Sequence, residues 1–154
     1  MTYATDQDTT QALEQFRQYD VDTQLALLWF GYLDIKDELS PDPAHSADVA
    51  AHAYCDRIRE LPKEQQLQAQ QDIVSGASSE WGREYTSLSS SGRLEVWLLL
   101  GQGMEDGSII QVPSDYQLPS ETEKFTEAIS KLSFEQRINF MRSAVMEMGA
   151  PAGQ

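Results

Sequence analysis

Cysteine is almost missing from this chain: Cys55 is alone among 154 residues. A single thiol cannot close an internal disulfide, so the reducing interior of a cell is the expected compartment. Histidine is nearly as scarce, with only His45 and His52. If helical, the two would lie about two turns apart without a third ligand nearby, and exposed, idle histidines are expected rather than a metal site. Positive charge is also short, 11 Lys and Arg against 25 Asp and Glu, leaving a net charge of -14. Nucleic acid and anionic lipid would be repelled by such a surface. No apolar run is long enough to span a bilayer. The N-terminus lacks the basic and apolar segments of a signal peptide, so a cytoplasmic location is expected. The phosphate-binding loop, the dinucleotide fingerprint and the Gly-x-Ser-x-Gly elbow are all absent. Cys55 has no histidine at a suggestive spacing and reads as a small buried hydrophobe. The carboxylates are scattered over polar faces. Catalytic residues are therefore none, and no enzyme is expected.

What is present is a pair of unusually apolar helices in a chain of low mean hydropathy, -0.48. The length suits one domain over residues 1–154. Behind Asp22 as N-cap, Leu25, Leu28, Trp29 and Tyr32 follow the i, i+3, i+4, i+7 spacing of one helix face. Ala26, Leu27, Phe30 and Leu33 cover the other side. A helix apolar all round must be buried. From near Ser91 the pattern repeats, with Leu94, Trp97, Leu98, Gly101 and Met104 on one face and Val96, Leu99 and Leu100 on the other. Gly101 and Gly103 lower helix propensity there, which points to close packing or a ligand. Rings spaced like Trp29 and Tyr32 either interlock in an ordinary core or flank something long, flat and apolar.

The remaining segments also read as helices. Asp8 or Thr9 caps one running to about Tyr19, with Leu13 and Phe16 inward. Residues 37–45, with Pro41 and Pro43, form a linker. Ser46 caps a helix with Val49, Ala53, Ile58 and Leu61 inward. Pro62 suits a first helical position before a helix ending at Gly76, and a short piece holds Trp81 and Tyr85. Residues 87–92 read as a flexible hinge. Gly107 stops the second greasy helix. Residues 109–119 are extended and apolar, a strap expected to lie against the bundle. Capping boxes at Ser120–Glu123 and Ser133–Gln136 open the last two helices, the latter with Phe134, Ile138, Met141, Val145 and Met148 before Gly149 and Pro151. With no alternating pattern of useful length, the fold class is all-α, with about eight helices.

Gln24-Leu-Ala-Leu-Leu-Trp-Phe-Gly-Tyr-Leu33 resembles the signature helix of the orange carotenoid protein N-terminal domain. Trp97, Gly101-Gln-Gly-Met104 and Ile109-Ile-Gln-Val-Pro-Ser-Asp-Tyr116 resemble its second signature, and Met141-Arg-Ser-Ala-Val-Met-Glu-Met-Gly149 its closing helix. The resemblance is colinear from about Thr10 to Gly149. It implies two interleaved four-helix bundles clasping a ketocarotenoid such as canthaxanthin or echinenone. By that resemblance Trp29, Tyr32, Trp97 and Tyr116 match ring-stacking positions, and Leu25, Leu28, Leu94, Gly101, Met104, Val112, Pro113, Ile138 and Val145 match the apolar channel. Gln70 falls where a relative carries an apolar pigment neighbour, so the channel should be more polar there.

The chain ends where the family continues into a light-sensing C-terminal domain, so it looks like a stand-alone helical carotenoid protein without the intramolecular switch. Its activity is then expected to be constitutive. Singlet-oxygen quenching through the pigment is the first functional expectation. The second is docking on the phycobilisome as an excitation quencher, at the cytoplasmic face of the thylakoid, with Arg142 matching the family's docking arginine and Arg83 and Arg93 as further basic candidates. The alternative for Arg142 is an ordinary solvent-facing residue. A carotenoid-delivering homologue of the C-terminal domain is a further implied partner. A pigment-free helical interaction module is the reading from another class.

Overall fold

The computed structural model describes residues 6–36, 49–113 and 116–150. Among them are eight α-helices and no strand: α1 (Gln7–Gln18), α2 (Val21–Ile35), α3 (Val49–Arg59), α4 (Lys63–Ser75), α5 (Glu80–Thr86), α6 (Ser90–Asp106), α7 (Glu123–Ser130) and α8 (Phe134–Met146). A 3-10 turn, Ser120–Thr122, precedes α7. α1 packs on α7 and α8, whereas α3 packs on α6 and α4 on α5. The two sets interleave through α2, which touches α4, α6 and α8, and through α6 against α8.

The helix starts are set by side-chain caps, several of them displaced from where periodicity puts them. Asp6, not Asp8 or Thr9, caps α1 and accepts from the Thr9 amide and hydroxyl, both at 2.8 Å. Asp20, not Asp22, caps α2 through the Thr23 N–H at 2.8 Å. Two aspartates two residues apart are equally good caps on composition; the extended backbone at Asp20 (ψ 169°) decides between them. Pro62 sits at the N-cap of α4 rather than inside it, with ψ 153°. Ser120 opens no capping box, because Pro119 leads into the 3-10 turn and α7 begins at Glu123. The Ser133–Gln136 box is present as expected, with both reciprocal bonds. Gly76 and Gly107 end α4 and α6 at φ 75° and 86°, the left-handed conformation glycine adopts without a Cβ penalty.

Two readings change more. In α3 the inward stripe is Ala51, Tyr54, Cys55 and Ile58, while Val49 is 80% exposed and Ala53 faces out. The large Tyr54 ring packs edge-on against Trp81, 5.5 Å between centroids, and sets the rotation of the helix. The expected hinge at 87–92 is a three-residue link, because α6 already starts at Ser90 behind the Ser89 cap. Arg93 then ties that link down, donating to the carbonyls of Leu88, Thr86 and Met146. The linker 37–45, Ser46, His45 and Pro151 lie outside the described residues.

The core at the α1, α7, α8 end is an aromatic cluster. Phe16 meets Phe140 edge-on at 5.6 Å and Phe125 at 6.1 Å, and all three are buried. Cys55 is fully buried on α3, its thiol donating to the Val96 carbonyl, and burial pushes it up to about 12. No thiolate is available there for chemistry. His52 is half-buried rather than exposed, its Nε2 3.4 Å from a Glu95 carboxylate oxygen and without a hydrogen-bond partner among the described residues. No group of three metal-ligating side chains occurs among the described residues.

Candidate functional site

Where α2 crosses α6, a glycine lets the two backbones come together. A Cβ placed on Gly101 would lie 2.7–2.8 Å from three atoms of the Tyr32 ring. Tyr32 therefore lies flat over Gly101, and Trp29 stacks on Tyr32 with centroids 6.0 Å apart and planes 23° apart. The Tyr32 hydroxyl donates to Glu105 at 2.6 Å, and the Lys36 ammonium donates to the other Glu105 oxygen at 2.5 Å. These bonds fix the hydroxyl end of the ring. From the opposite wall comes Trp97, whose indole N–H donates to the Tyr85 hydroxyl at 3.1 Å; that hydroxyl donates on to the Val145 carbonyl at 2.5 Å. Burial pushes the Tyr85 phenol well above its usual range, so it remains a protonated donor.

Three cavities run in series along this crossing. An outer one of about 290 Å³ is lined by Leu25, Ala26, Leu67, Gln70, Met104, Ile110 and the strap residues Val112, Pro113 and Tyr116. The middle one, only about 10 Å³, lies among Leu25, Leu28, Trp29, Tyr32, Gln70, Trp97, Leu100, Gly101, Met104 and Met141. An inner one of about 70 Å³ reaches Leu27, Phe30, Gly31, Ile35, Phe125, Ile129 and Phe140 and opens at its far end beside Asp34, Thr126 and Arg137. Leu25, Gln70 and Met104 wall both the outer and the middle cavity, and Leu28 and Met141 both the middle and the inner. The three form one interrupted line.

The strap forms the outer wall because it is fastened down. Ile110 N–H donates to the Gln66 side chain at 2.8 Å, and the Ile109 N–H donates to Gly103 O at 3.0 Å. Ile109 is fully buried, and a Cβ on Gly103 would meet its side chain at 2.4 Å. Gly101 and Gly103 are thus explained by close approach, one under a ring and one under the strap.

Of the residues singled out from sequence, Leu25, Leu28, Trp29, Tyr32, Trp97, Gly101 and Met104 converge on the middle cavity, and Val112, Pro113 and Tyr116 on the outer. Leu94, Ile138 and Val145 wall none of the three; Leu94 and Val145 are buried in the core and Ile138 is packed against it. Leu100 and Met141 wall the middle cavity without having been named as site residues, and Gln70, which the resemblance places beside the pigment as a polar neighbour, walls both the middle and the outer cavity. Met141 carries a signal, a flexible side chain on the α8 stripe, but Leu100 looks like any core leucine. Arg142 is exposed on α8. Arg93, a second basic candidate for docking, is committed to backbone carbonyls instead.

A family description, orange carotenoid protein, N-terminal, matches residues 2–151. The chain belongs to that family. The orange carotenoid-binding protein of Synechocystis sp. is 32% identical over 143 residues, which are 92% of this chain and 45% of the relative. Among solved structures, the Red Carotenoid Protein of Anabaena (Nostoc) sp. PCC 7120 binding canthaxanthin superposes with TM-score 0.80 and 37% identity, covering 93% of this chain and 99% of that one. The Orange Carotenoid Protein of the same organism, also binding canthaxanthin, gives TM-score 0.86 at 27% identity, covering 94% of this chain and 47% of that one. This chain therefore spans less than half of the longer orange carotenoid proteins and nearly all of the red one. Its fold is that of the family, two interleaved four-helix bundles. No described helix is long and apolar enough to cross a membrane.

Acid should loosen this crossing. Lys36 and then Tyr32 hold the Glu105 carboxyl below its ordinary range, and Thr23 holds that of Asp20 down. Both groups have folded values below their unfolded ones. Their contribution is full above the unfolded value, roughly pH 4, and is lost as pH falls through the folded value. Against this, protonation toward the isoelectric point near 4.3 relieves the repulsion of a chain at net charge -14. Stability followed by circular dichroism is expected to hold or rise slightly down to about pH 4.5 and to decline below about pH 4 as these carboxylates take up protons. A steady decline beginning near pH 6 would show that other groups dominate.

Proposed function

We propose that this chain holds a ketocarotenoid of the canthaxanthin or echinenone type along the line of three cavities and uses it for photoprotection, quenching singlet oxygen through the pigment. The observation that carries the reading is the end-to-end arrangement of apolar cavities that share walls at each junction. A polyene is a rigid apolar rod, and burying it is worth roughly 25 cal/mol per Å² of apolar surface. Flat rings such as Trp29, Tyr32, Trp97 and Tyr116 contact a π-system with little loss of side-chain freedom. The middle cavity must widen for a rod to pass, and the unbranched Met104 and Met141 at its two ends are side chains that move readily. Family membership supports the same conclusion. Bound pigment supplies the excited-state chemistry; the protein supplies the slot and its polarity.

The narrowness of the middle cavity is the observation on the side of a pigment-free interaction module. Absorption decides between them: protein purified from a canthaxanthin-making host is expected to be coloured, and a colourless sample sinks the pigment reading. Docking on the phycobilisome would use Arg142, exposed on α8. The net charge of -14 and the internal use of Arg93 leave little basic surface for it, so antenna fluorescence is expected to persist when the coloured protein is added to phycobilisomes.

A further inference from the structure

Three methionines of this fold are buried to nearly the same degree: Met104 is 8% exposed, Met141 4% and Met148 6%. They differ in what their side chains meet. Met104 walls both the outer and the middle cavity, and Met141 both the middle and the inner. Met148 is packed in the core and walls none of the three. Each thioether at the constriction therefore adjoins a cavity that solvent reaches. The outer one has the exposed Asp22 and Leu67 on its rim, and the inner one opens beside Asp34, Thr126 and Arg137. At about 290 and 70 Å³ both exceed the roughly 10–15 Å³ that a water-sized molecule needs. The middle cavity, at about 10 Å³, has no space to spare. Met141 is confined further, since a Cβ on Gly31 would fall 3.2 Å from its methyl group.

We propose that Met104 and Met141 are oxidation sites at which a hydroperoxide closes the slot of the pigment-free chain, a reversible switch on loading. This rests on the carotenoid reading and adds a regulation to that same site. The sulfur lone pair attacks one peroxide oxygen, and an S–O bond forms as the O–O bond breaks. Sulfur is oxidised by two electrons to the sulfoxide; the other oxygen takes up the proton and leaves as water. Oxidation turns a flexible apolar side chain into a polar one. A sulfoxide oxygen among Leu25, Leu28, Trp29 and Leu100 makes the narrowest part of the slot both smaller and polar, so an apolar rod no longer passes. A polyene already in place fills the approach to both sulfurs, so the loaded chain is protected. Methionine sulfoxide reductases, one for each sulfoxide epimer, reverse the change.

The test treats pigment-free protein with hydrogen peroxide at neutral pH, removes the oxidant, and divides the sample between peptide mass spectrometry and loading with canthaxanthin. Sulfoxide is expected at Met104 and Met141 severalfold sooner than at the equally buried Met148. Canthaxanthin uptake should fall about tenfold, the factor that one unpaired buried polar group imposes. Helix content should not change, and uptake should return after treatment with both sulfoxide reductases. A double variant, Met104→Leu with Met141→Leu, keeps the side-chain volume and should load equally well before and after peroxide. Protein loaded before treatment should keep both sulfurs unoxidised. Oxidation of Met148 as early as the other two, or equal oxidation of loaded and pigment-free protein, overturns the proposal. So does undiminished uptake by the doubly oxidised chain, or a double variant that loses uptake on treatment as wild type does. Untreated wild type that takes up no canthaxanthin overturns the carotenoid reading itself, and the switch with it, a result distinct from all of these.

Discussion

Trp97→Ala is expected to lower the unfolding free energy by about 3–5 kcal/mol and to remove most of the pigment yield. Sequence alone sets these outcomes against each other, since a channel residue should affect pigment and a core residue should affect stability. In the fold Trp97 is both. It is 6% exposed and packed in the core, its N–H is fixed by the Tyr85 hydroxyl, and it walls the middle cavity. Trp97→Phe separates the two parts. It keeps a ring on the wall and forfeits the bond to Tyr85, for which about 1 kcal/mol is expected. Urea unfolding of pigment-free protein, beside the visible absorption of protein from a carotenoid-making host, measures both. A Trp97→Ala protein within 1 kcal/mol of wild type would show that the indole is not part of the core.

Gly101→Val should be the other severe change. The added Cβ falls 2.7–2.8 Å from a rigid ring, not from the end of a flexible chain. Tyr32 cannot slide aside at no cost, because Glu105, on the same helix as Gly101, holds its hydroxyl. Overpacking of this kind costs about 1–3 kcal/mol, well above the few tenths that valine gains over glycine in a helix. The middle cavity is expected to close and pigment uptake to stop. Since the clash is with one ring, Tyr32→Ala should relieve it, and the double variant should be more stable than the sum of the single changes by 1 kcal/mol or more. Strict additivity would mean that the glycine is there for another reason.

The helices were legible because their apolar spacing and caps are local. Leu25, Leu28 and Tyr32 mark a face wherever the helix goes, and Ser133 with Gln136 forms its box from four consecutive residues. Local signals failed where two candidates were equivalent, as with Asp20 and Asp22, or where a single ring overrode a weak stripe, as Tyr54 does in α3. The site was legible in part for the same reason. Trp29, Trp97 and Gly101 stand out because an ordinary core needs neither indoles nor glycine in helices so apolar. Leu100 does not stand out, since nothing along the chain distinguishes a leucine facing a cavity from one facing another leucine.

By itself, then, the sequence determined that the chain is all helix, which two helices must be buried, and that glycines sit where a neighbour comes close. Only the tertiary structure decided that this neighbour is Tyr32, that Arg93 is spent internally, and that Gln70 walls two cavities at once. The physical reason is that periodicity reports which side of a helix avoids water. The space left between helices depends instead on crossings and side-chain angles that residues far apart in the chain set jointly.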